Sequence, residues 1–156
     1  MMRPFDPENI LHRPLMANLA TVTDEGAPRN APVWFLWEDG AIWIPEGSDN
    51  SAVRHVLREP RCAIEIVHFE PENGILLHVG FRGNATVEPM SPDRFRRLLT
   101  KYLGPESGWN GWFIDNVACI DDPGGRMIRL APTSTFTNNV SYFRTGPDYA
   151  WPPGET

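Results

Sequence analysis

Residues 19–60 read LATVTDEGAPRNAPVWFLWEDGAIWIPEGSDNSAVRHVLREP, and this stretch decides the fold because it holds two hairpin turns and one helix start. The first turn is Asp24-Glu25-Gly26, and the second is Glu38-Asp39-Gly40, where an Asp-Gly pair suits the positive φ angles of a tight turn. Strands are expected on both sides of each turn. The stretch therefore predicts three consecutive antiparallel strands, at 17–23, 29–37 and 41–45.

The middle strand alternates between two faces. One face carries Arg29, Ala31, Val33, Phe35 and Trp37, and the other carries Asn30, Pro32, Trp34 and Leu36. Because Pro32 has no N–H to donate, the strand is expected to form a free edge or a bulge there. The backbone of Ala31 and Val33 would then be open to a ligand. Trp34 can pack against a ligand ring or in the core, and both interpretations stay open here.

A polar loop leads from the third strand into a helix that is predicted from Asn50 or Ser51 to Glu59. Its apolar positions are Ala52, Val53, Val56 and Leu57. The first turn of a helix offers free N–H groups and a positive dipole end, so it favours an anion such as a phosphate. The side chains placed to help are Ser48, Asn50, Ser51, Arg54 and Arg29. The simpler alternative is that the polar residues only cap the helix and the arginines are solvated.

The rest of the chain predicts further strands and two more helices. A short helix follows Asp6-Pro7-Glu8, and strands are expected at 61–68, 75–88 and 126–131. Gly80 and Gly83 predict a bulge or a sharp bend in the second of these strands. Residues 135–143 are either a seventh strand or an extended arm.

The helix predicted over Ser91–Leu103 has an apolar stripe and a basic side. The stripe comprises Phe95, Leu98, Leu99, Tyr102 and Leu103, and the basic side, expected to be solvated, comprises Arg94, Arg96, Arg97 and Lys101. Together the elements predict a mainly β protein that folds as a small antiparallel barrel in one domain, residues 1–156. The barrel is expected at about 14–136, followed by an extended C-terminal arm at 137–156.

Composition excludes several classes of protein. A net charge of −6 and a pI of about 5.1 argue against nucleic acid as a partner, since a phosphate backbone calls for a basic face. No apolar run reaches the ~20 residues of a membrane helix, and prolines interrupt the N-terminus where a signal peptide would need an apolar core. Cys62 and Cys119 are expected to be reduced thiols, Cys62 in the core, so the sequence predicts a cytoplasmic protein.

Several catalytic motifs are missing from the sequence. The four histidines show no paired spacing that would predict a zinc site, although a haem ligand among them stays open. There is no G-x-S-x-G nucleophile elbow, no Walker A loop and no G-x-G-x-x-G dinucleotide fingerprint. No residue is predicted as a general acid or base.

Three segments resemble the pyridoxamine 5′-phosphate oxidase-like family of FMN-binding split barrels. The residues 19–44 with AVRHVLREPRCAIEIV resemble its first strands and helix, GNATVEPMSPDRFRRLLTKYLG its later strand and helix, and MIRLAPTSTF its last barrel strand. The likeness covers about Pro14 to Phe136 and lies in order and spacing. It implies a six-stranded antiparallel Greek-key split barrel and a homodimer with two FMN sites at the subunit interface.

The resemblance also implies which residues bind the cofactor. Arg29, Asn30, Ala31, Pro32, Val33 and Trp34 would line the isoalloxazine ring, Pro45 and Glu46 would lie near the ring and ribityl chain, and Asn50, Ser51 and Arg54 would lie near the phosphate. The partner subunit would add Trp109 and Trp112. Many family members have a lysine where this chain has Ala52, and a charged residue where it has Asn84.

The function implied is that of an FMN-binding oxidoreductase acting on an unidentified small molecule. Three alternatives stay open: a deazaflavin-dependent reductase on the same fold, a non-enzymatic flavin or haem binder, and a dimer without a cofactor. Pyridoxamine phosphate is not favoured as the substrate, because its phosphate would need a second basic pocket. A deazaflavin with a polyglutamate tail would need more cations than this acidic chain offers.

Overall fold

The computed structural model describes residues 5–111 and 122–141, and its main elements are three α-helices, two short 3₁₀ helices at Pro71–Asn73 and Glu106–Gly108, and eight strands. The helices are α1 (Glu8–Leu11), α2 (Ser51–Arg58) and α3 (Pro92–Leu103). The strands are β1 (Ala17–Val22), β2 (Pro28–Val33), β3 (Leu36–Glu38), β4 (Ala41–Gly47), β5 (Arg61–Glu70), β6 (Ile75–Pro89), β7 (Gly125–Leu130) and β8 (Ser134–Asn139). Within these ranges, no helix is long and apolar enough to cross a membrane.

All strand pairs are antiparallel, and the strands form two sheets that share β6. The first sheet contains β2, β1, β5, β6 and β8, and the second contains β6, β7, β4 and β3. The sheet path runs from β2 to β3 and is not closed by hydrogen bonds between the described strands. The predicted mainly β antiparallel barrel is therefore confirmed, and the barrel is split rather than closed.

The strand predicted as continuous over 29–37 is broken at Trp34 and Phe35, so that prediction was wrong. Phe35 and Leu36 are both buried although they are neighbours, which ends the alternation of faces. The Phe35 N–H donates to the Tyr102 hydroxyl at 3.1 Å, and the Phe35 carbonyl accepts from Lys101 Nζ at 2.9 Å. Side chains of α3 thus replace the neighbouring strand as partners of the backbone here, which lets β2 and β3 lie in different sheets.

The two longer helices begin and end as the sequence predicts. Asn50 caps α2 by accepting from the Ala52 N–H at 2.8 Å, and Ser91 caps α3. Gly104 ends α3 with a positive φ of 79°. Leu57 is an exception to the predicted apolar stripe of α2, since it is 67% exposed while Val53 and Val56 are buried. The stripe that enters the core is therefore narrower than predicted.

The basic side of α3 is solvated only in part, so the prediction for Arg94 and Lys101 was wrong. Positions 94, 98 and 101 lie on one helix face because they are four and three residues apart, and Leu98 is fully buried. The Arg94 guanidinium lies 3.8 Å from the centre of the Trp43 ring. Lys101 Nζ donates to the Leu11 and Phe35 carbonyls and lies 3.5 Å from the centre of the Phe35 ring.

The glycines of β6 do not form a bulge, because β5 and β6 pair residue for residue from Arg61–Asn84 to Glu70–Ile75. β6 changes partner sheet at Ala85, just beyond Gly83, which agrees with the predicted bend. Gly80 has a different role: an added Cβ would lie 1.9 Å from Cε1 of the Phe136 ring. The lack of a side chain at Gly80 lets the Phe136 ring from β8 lie against the sheet.

We expect Gly80→Ala to lower the free energy of unfolding by about 1–3 kcal/mol, because the Phe136 ring must leave its place. Gly108→Ala is a suitable control, since nothing lies within 4 Å of a Cβ at that position. Urea denaturation checks this. Gly80→Ala should cost less stability when it is added to Phe136→Ala than when it is added to the unchanged chain, because the ring that it would displace is then missing. Equal midpoints for Gly80→Ala, Gly108→Ala and the unchanged chain would contradict the expectation.

Some sequence predictions fall partly or wholly outside the described residues. β8 ends at Asn139, so the segment 135–143 is a strand in its first part, and the arm predicted from 137 begins inside it. Residues 112–121 and 142–156, which include Trp112 and Cys119, lie outside the description. Cys62 is buried, as predicted, and burial raises the pKa of its thiol to about 11. The division into one domain stays a prediction.

Candidate functional site

A groove of about 740 Å³ lies between the β1–β2 hairpin and α2. Nine of the predicted site residues line it: Arg29, Asn30, Ala31, Pro32, Val33, Glu46, Asn50, Ser51 and Arg54. They come from three elements, β2, the end of β4 and the start of α2. The fold therefore brings together residues that are up to 25 positions apart in the sequence.

One wall of the groove is β2, which among the described strands pairs only with β1. Residues 28–32 are exposed, so the second edge of β2 carries backbone N–H and C=O groups that no described strand pairs with. Pro32 lies within this edge and has no N–H, which agrees with the free edge predicted from the sequence. A planar ligand lying along β2 can hydrogen-bond to the backbone there.

The opposite wall is the first turn of α2. The Asn50 side chain satisfies the Ala52 N–H, and the Arg54 N–H bonds to the Asn50 carbonyl within the helix. The Arg54 guanidinium donates to the Asp49 carbonyl and is exposed. The dipole of α2 points its positive end at the groove, so this corner offers charge and N–H groups to an anion.

Charges along the groove are balanced. The lining contains three arginines and three acidic residues: Arg29, Arg54, Arg58, Asp24, Glu25 and Glu46. Arg58 pairs with Asp24 at 2.8 Å, and both side chains are largely exposed. An exposed ion pair of this kind contributes little to stability, so its members are free to exchange for a ligand.

Sequence reasoning missed several residues of the groove, among them Thr21, His55 and Leu57. Thr21 Oγ1 and His55 Nδ1 lie 2.9 Å apart and connect β1 to α2, and only 5% of Thr21 is exposed. Two signals in the sequence could have found Thr21 and Leu57, but not His55. Thr21 shares a strand face with Leu19, and positions 54, 57 and 58 share a helix face.

A second, smaller cavity of about 280 Å³ adjoins the groove, since Pro32, Val33 and Glu46 line both. Two more of the predicted residues, Trp34 and Pro45, lie here. The Trp34 ring stacks on Tyr102 with 4.5 Å between the ring centres and 3° between the planes. Burial raises the pKa of the Glu46 carboxyl, because the charged form loses water.

The two tryptophans predicted to reach the site from a partner subunit stay a prediction, because the structure contains a single chain. Trp109 is 6% exposed, and its indole N–H donates to the Gly104 carbonyl at 3.0 Å. It packs in a core cluster with Leu98, Leu99 and Trp43 of its own chain and is not among the lining residues of either cavity. Trp112 lies outside the described residues.

The family model of pyridoxamine 5′-phosphate oxidase matches residues 8–137 of this chain. The chain therefore belongs to the pyridoxamine 5′-phosphate oxidase family, which confirms the resemblance seen in the sequence. The matched range contains α1, the strands β1 to β7, the first part of β8 and all of the groove-lining residues. No curated protein matches the chain.

Solved structures with the same fold include a conserved hypothetical protein from Mycobacterium tuberculosis, with a TM-score of 0.70, 19% identity and coverage of 88% of this chain and 86% of that one. An F420 reductase has a TM-score of 0.63 and 25% identity, with coverage of 86% and 98%. An FAD-binding protein from Mesorhizobium loti has a TM-score of 0.59 and 14% identity, with coverage of 89% and 98%. These likenesses confirm the split-barrel fold.

The groove fits a flat cofactor with an anionic tail. Its volume lies within the roughly 300–1,000 Å³ of ordinary ligand sites. The free edge of β2 suits the polar rim of a flavin ring, and the first turn of α2 suits a phosphate. Because the arginines and acidic residues of the groove are equal in number, a dianion would be bound mainly by Arg54 and the N–H groups at the start of α2.

Proposed function

We propose that this protein is an FMN-binding oxidoreductase that acts on a small molecule. The observation that supports this best is the convergence of nine predicted cofactor residues on one groove beside the start of α2. Membership of the pyridoxamine 5′-phosphate oxidase family agrees with it. FMN, when bound, supplies the redox chemistry by accepting or donating an electron pair.

The chain's own residues would bind and orient the cofactor. Arg54 and the N–H groups of Ser51 and its neighbours would hold the phosphate, and the edge of β2 from Arg29 to Val33 would hold the ring. Donors of that edge would also stabilise negative charge that develops on the ring. Leu57 lies at the groove with 67% of its surface exposed, so a bound ring would remove an apolar surface from water.

We further propose that the protein works as a homodimer with the cofactor site at the subunit interface. Three apolar side chains that are exposed in the single chain support a contact between subunits. They are Met16, Val67 and Phe69, which are 46%, 41% and 52% exposed. Sedimentation velocity should give twice the 17.6 kDa of one chain. Such a dimer would cover the open side of the groove and help to exclude water from it.

A titration with FMN, followed by flavin fluorescence, tests the phosphate assignment. We expect Arg54→Met to weaken FMN binding by roughly 10- to 100-fold, because it removes a charge-assisted hydrogen bond. Ser51→Ala should weaken it by a smaller factor. Arg96→Met is a matched control, because Arg96 lies on α3, pairs with Glu106 at 2.8 Å and lines neither cavity.

If Arg54→Met and Ser51→Ala both bind FMN as the unchanged chain does, the phosphate lies elsewhere and the assignment is wrong. Thermal unfolding of each variant without FMN separates a lost contact from a damaged fold. Reduction of the loaded protein with NADH and with NADPH then shows which electron donor it accepts.

A deazaflavin cofactor is the second candidate, and the 25% identity to an F420 reductase over 86% of the chain supports it. Parallel titrations with FMN and F420 distinguish the two. Tighter binding of F420, with no flavin absorbance in the purified protein, would favour the second candidate. The acidic chain favours FMN, since a polyglutamate tail adds negative charges that three paired or exposed arginines do not balance.

A further inference from the structure

We propose that the smaller cavity is a binding subsite for a small, uncharged aromatic molecule, and that Glu46 is the residue that makes it reject anions. The proposal rests on the proposed function in one respect: if the larger groove holds FMN, the subsite lies beside the flavin and takes the substrate. Its walls and its charge, however, are properties of this chain alone.

The walls of the cavity are almost wholly apolar. Eight of the nine described lining residues are apolar, among them Trp34, Phe95 and Leu98, and Glu46 is the one ionisable residue of the nine. A volume of about 280 Å³ falls just below the range of sites for drug-sized ligands, so it suits a molecule of one or two rings.

The aromatic wall is held in place before a ligand arrives. Trp34 stacks on Tyr102, whose hydroxyl donates to the Leu15 carbonyl at 2.7 Å and accepts from the Phe35 N–H at 3.1 Å. Tyr102 is therefore fixed at both its ring and its hydroxyl. A preorganised Trp34 ring loses little conformational entropy when a second ring packs against it.

The smaller cavity and the larger groove share part of their walls. Pro32, Val33 and Glu46 line both, so a molecule in the smaller cavity lies directly beside a ligand on the β2 edge. Two adjoining sites of unequal size and polarity are what a redox protein needs for a cofactor and its substrate. The smaller, apolar one is the natural place for the substrate ring.

Glu46 gives the subsite its charge selectivity. In the β4–β7 register it lies opposite Arg126, but Arg126 donates to the Pro123 and Gly125 carbonyls. Across 5–111 and 122–141, Glu46 itself has no ion pair or side-chain hydrogen bond, and burial alone raises its pKa. An anionic ligand would meet a carboxyl without a neutralising cation, whereas an uncharged amide or hydroxyl can hydrogen-bond to it.

Isothermal titration calorimetry with two probes of the same size tests this. We expect 1-naphthamide to bind the purified protein, and the anion 1-naphthoate to bind at least about tenfold more weakly. In Glu46→Gln the difference should shrink to about threefold or less. Glu72→Gln is the control, because Glu72 is exposed, lies in the turn after β5 and lines neither cavity.

Trp34→Leu tests the aromatic wall and should weaken 1-naphthamide binding about tenfold. Equal affinity for both probes, or a preference that Glu46→Gln leaves unchanged, would overturn the role of Glu46. Titration at saturating FMN locates the site: binding should persist, and full displacement by FMN would place the probe in the larger groove and overturn the subsite.

These outcomes separate the two proposals. If the protein takes up no FMN but still selects 1-naphthamide in a Glu46-dependent way, the subsite stands and the proposed cofactor falls. If it binds FMN and neither probe, the reverse holds. Thermal unfolding of Trp34→Leu and Glu46→Gln shows whether a lost signal comes from a lost fold.

Discussion

As the pH rises from 7 to 10, the free energy of unfolding of the protein should increase by about 2–4 kcal/mol more than that of its Lys101→Met variant. Burial lowers the pKa of the Lys101 ammonium to about 7, against 10.5 in an exposed lysine. The unfolded chain therefore binds a proton between pH 7 and 10.5 that the folded chain has lost. Stability rises with pH wherever the unfolded state binds more protons, and it levels off below pH 7, where both states are charged.

The expected size stays below the full linkage value because Lys101 is only half-buried and keeps polar neighbours. The Leu11 and Phe35 carbonyls accept its hydrogen bonds, and the Phe35 ring faces its charge. Each of these contacts replaces part of the lost water and favours the charged form. Urea denaturation at pH 7, 8, 9 and 10 gives the difference in unfolding free energy directly.

The comparison with Lys101→Met removes other groups that titrate in this range. Burial raises the pKa of Cys62 to about 11 and that of Tyr102 to about 12, so both lower stability at high pH as the unfolded chain deprotonates first. The two proteins share these effects, which cancel in the difference. A difference that is flat between pH 7 and 10 would show that Lys101 keeps an ordinary pKa in the folded chain.

Tyr102→Phe should lower the free energy of unfolding by about 2–4 kcal/mol, since it leaves two backbone groups without their partner. The hydroxyl bonds to the Phe35 N–H at 3.1 Å and to the Leu15 carbonyl at 2.7 Å. The ring is retained in the variant, so the stacking on Trp34 and the packing volume change little. Thermal and urea unfolding measure the loss.

Thr100→Ala is the control for this prediction, because it removes a hydroxyl from the same helix. Thr100 Oγ1 donates only to the Arg96 carbonyl within α3, and the residue is exposed, so we expect a change below about 1 kcal/mol. A Tyr102→Phe variant that is as stable as Thr100→Ala would mean that water takes over both backbone groups.

Much of the fold follows from local signals in the sequence. The Asp39-Gly40 turn has positive φ at both residues, 53° and 68°, as its composition requires. α2 and α3 begin directly after their caps, Asn50 and Ser91, and end just before a proline or a glycine. Each of these features depends on residues within one turn of each other, so the sequence alone determines them.

The features that the sequence did not predict depend on residues far apart along the chain. Phe35 and Lys101 are 66 positions apart, and no periodicity within the strand or the helix indicates that they touch. Likewise, the local sequence around Gly80 predicts a bulge, whereas in the structure Gly80 makes room for the Phe136 ring from β8. Tertiary contacts override the local pattern in both cases.

The candidate site divides in the same way. The meeting of Asn50, Ser51 and Arg54 at one corner of the groove could be predicted, because the three residues form one helix start. The Thr21–His55 contact could not, because at 2.9 Å it joins two elements that are 34 residues apart. The smaller cavity was also missed, since it exists only where α3 packs over the break between β2 and β3.

β6 is the one described strand that belongs to both sheets, pairing with β5 and β8 in its first part and with β7 in its second. Neither half of the molecule can open its hydrogen bonds without loosening this strand for the other. Amide protons of β5, β7 and β8 should therefore exchange with solvent through a single cooperative opening. A substitution at the groove would then change the free energy of global unfolding, rather than cause local unfolding at the groove alone.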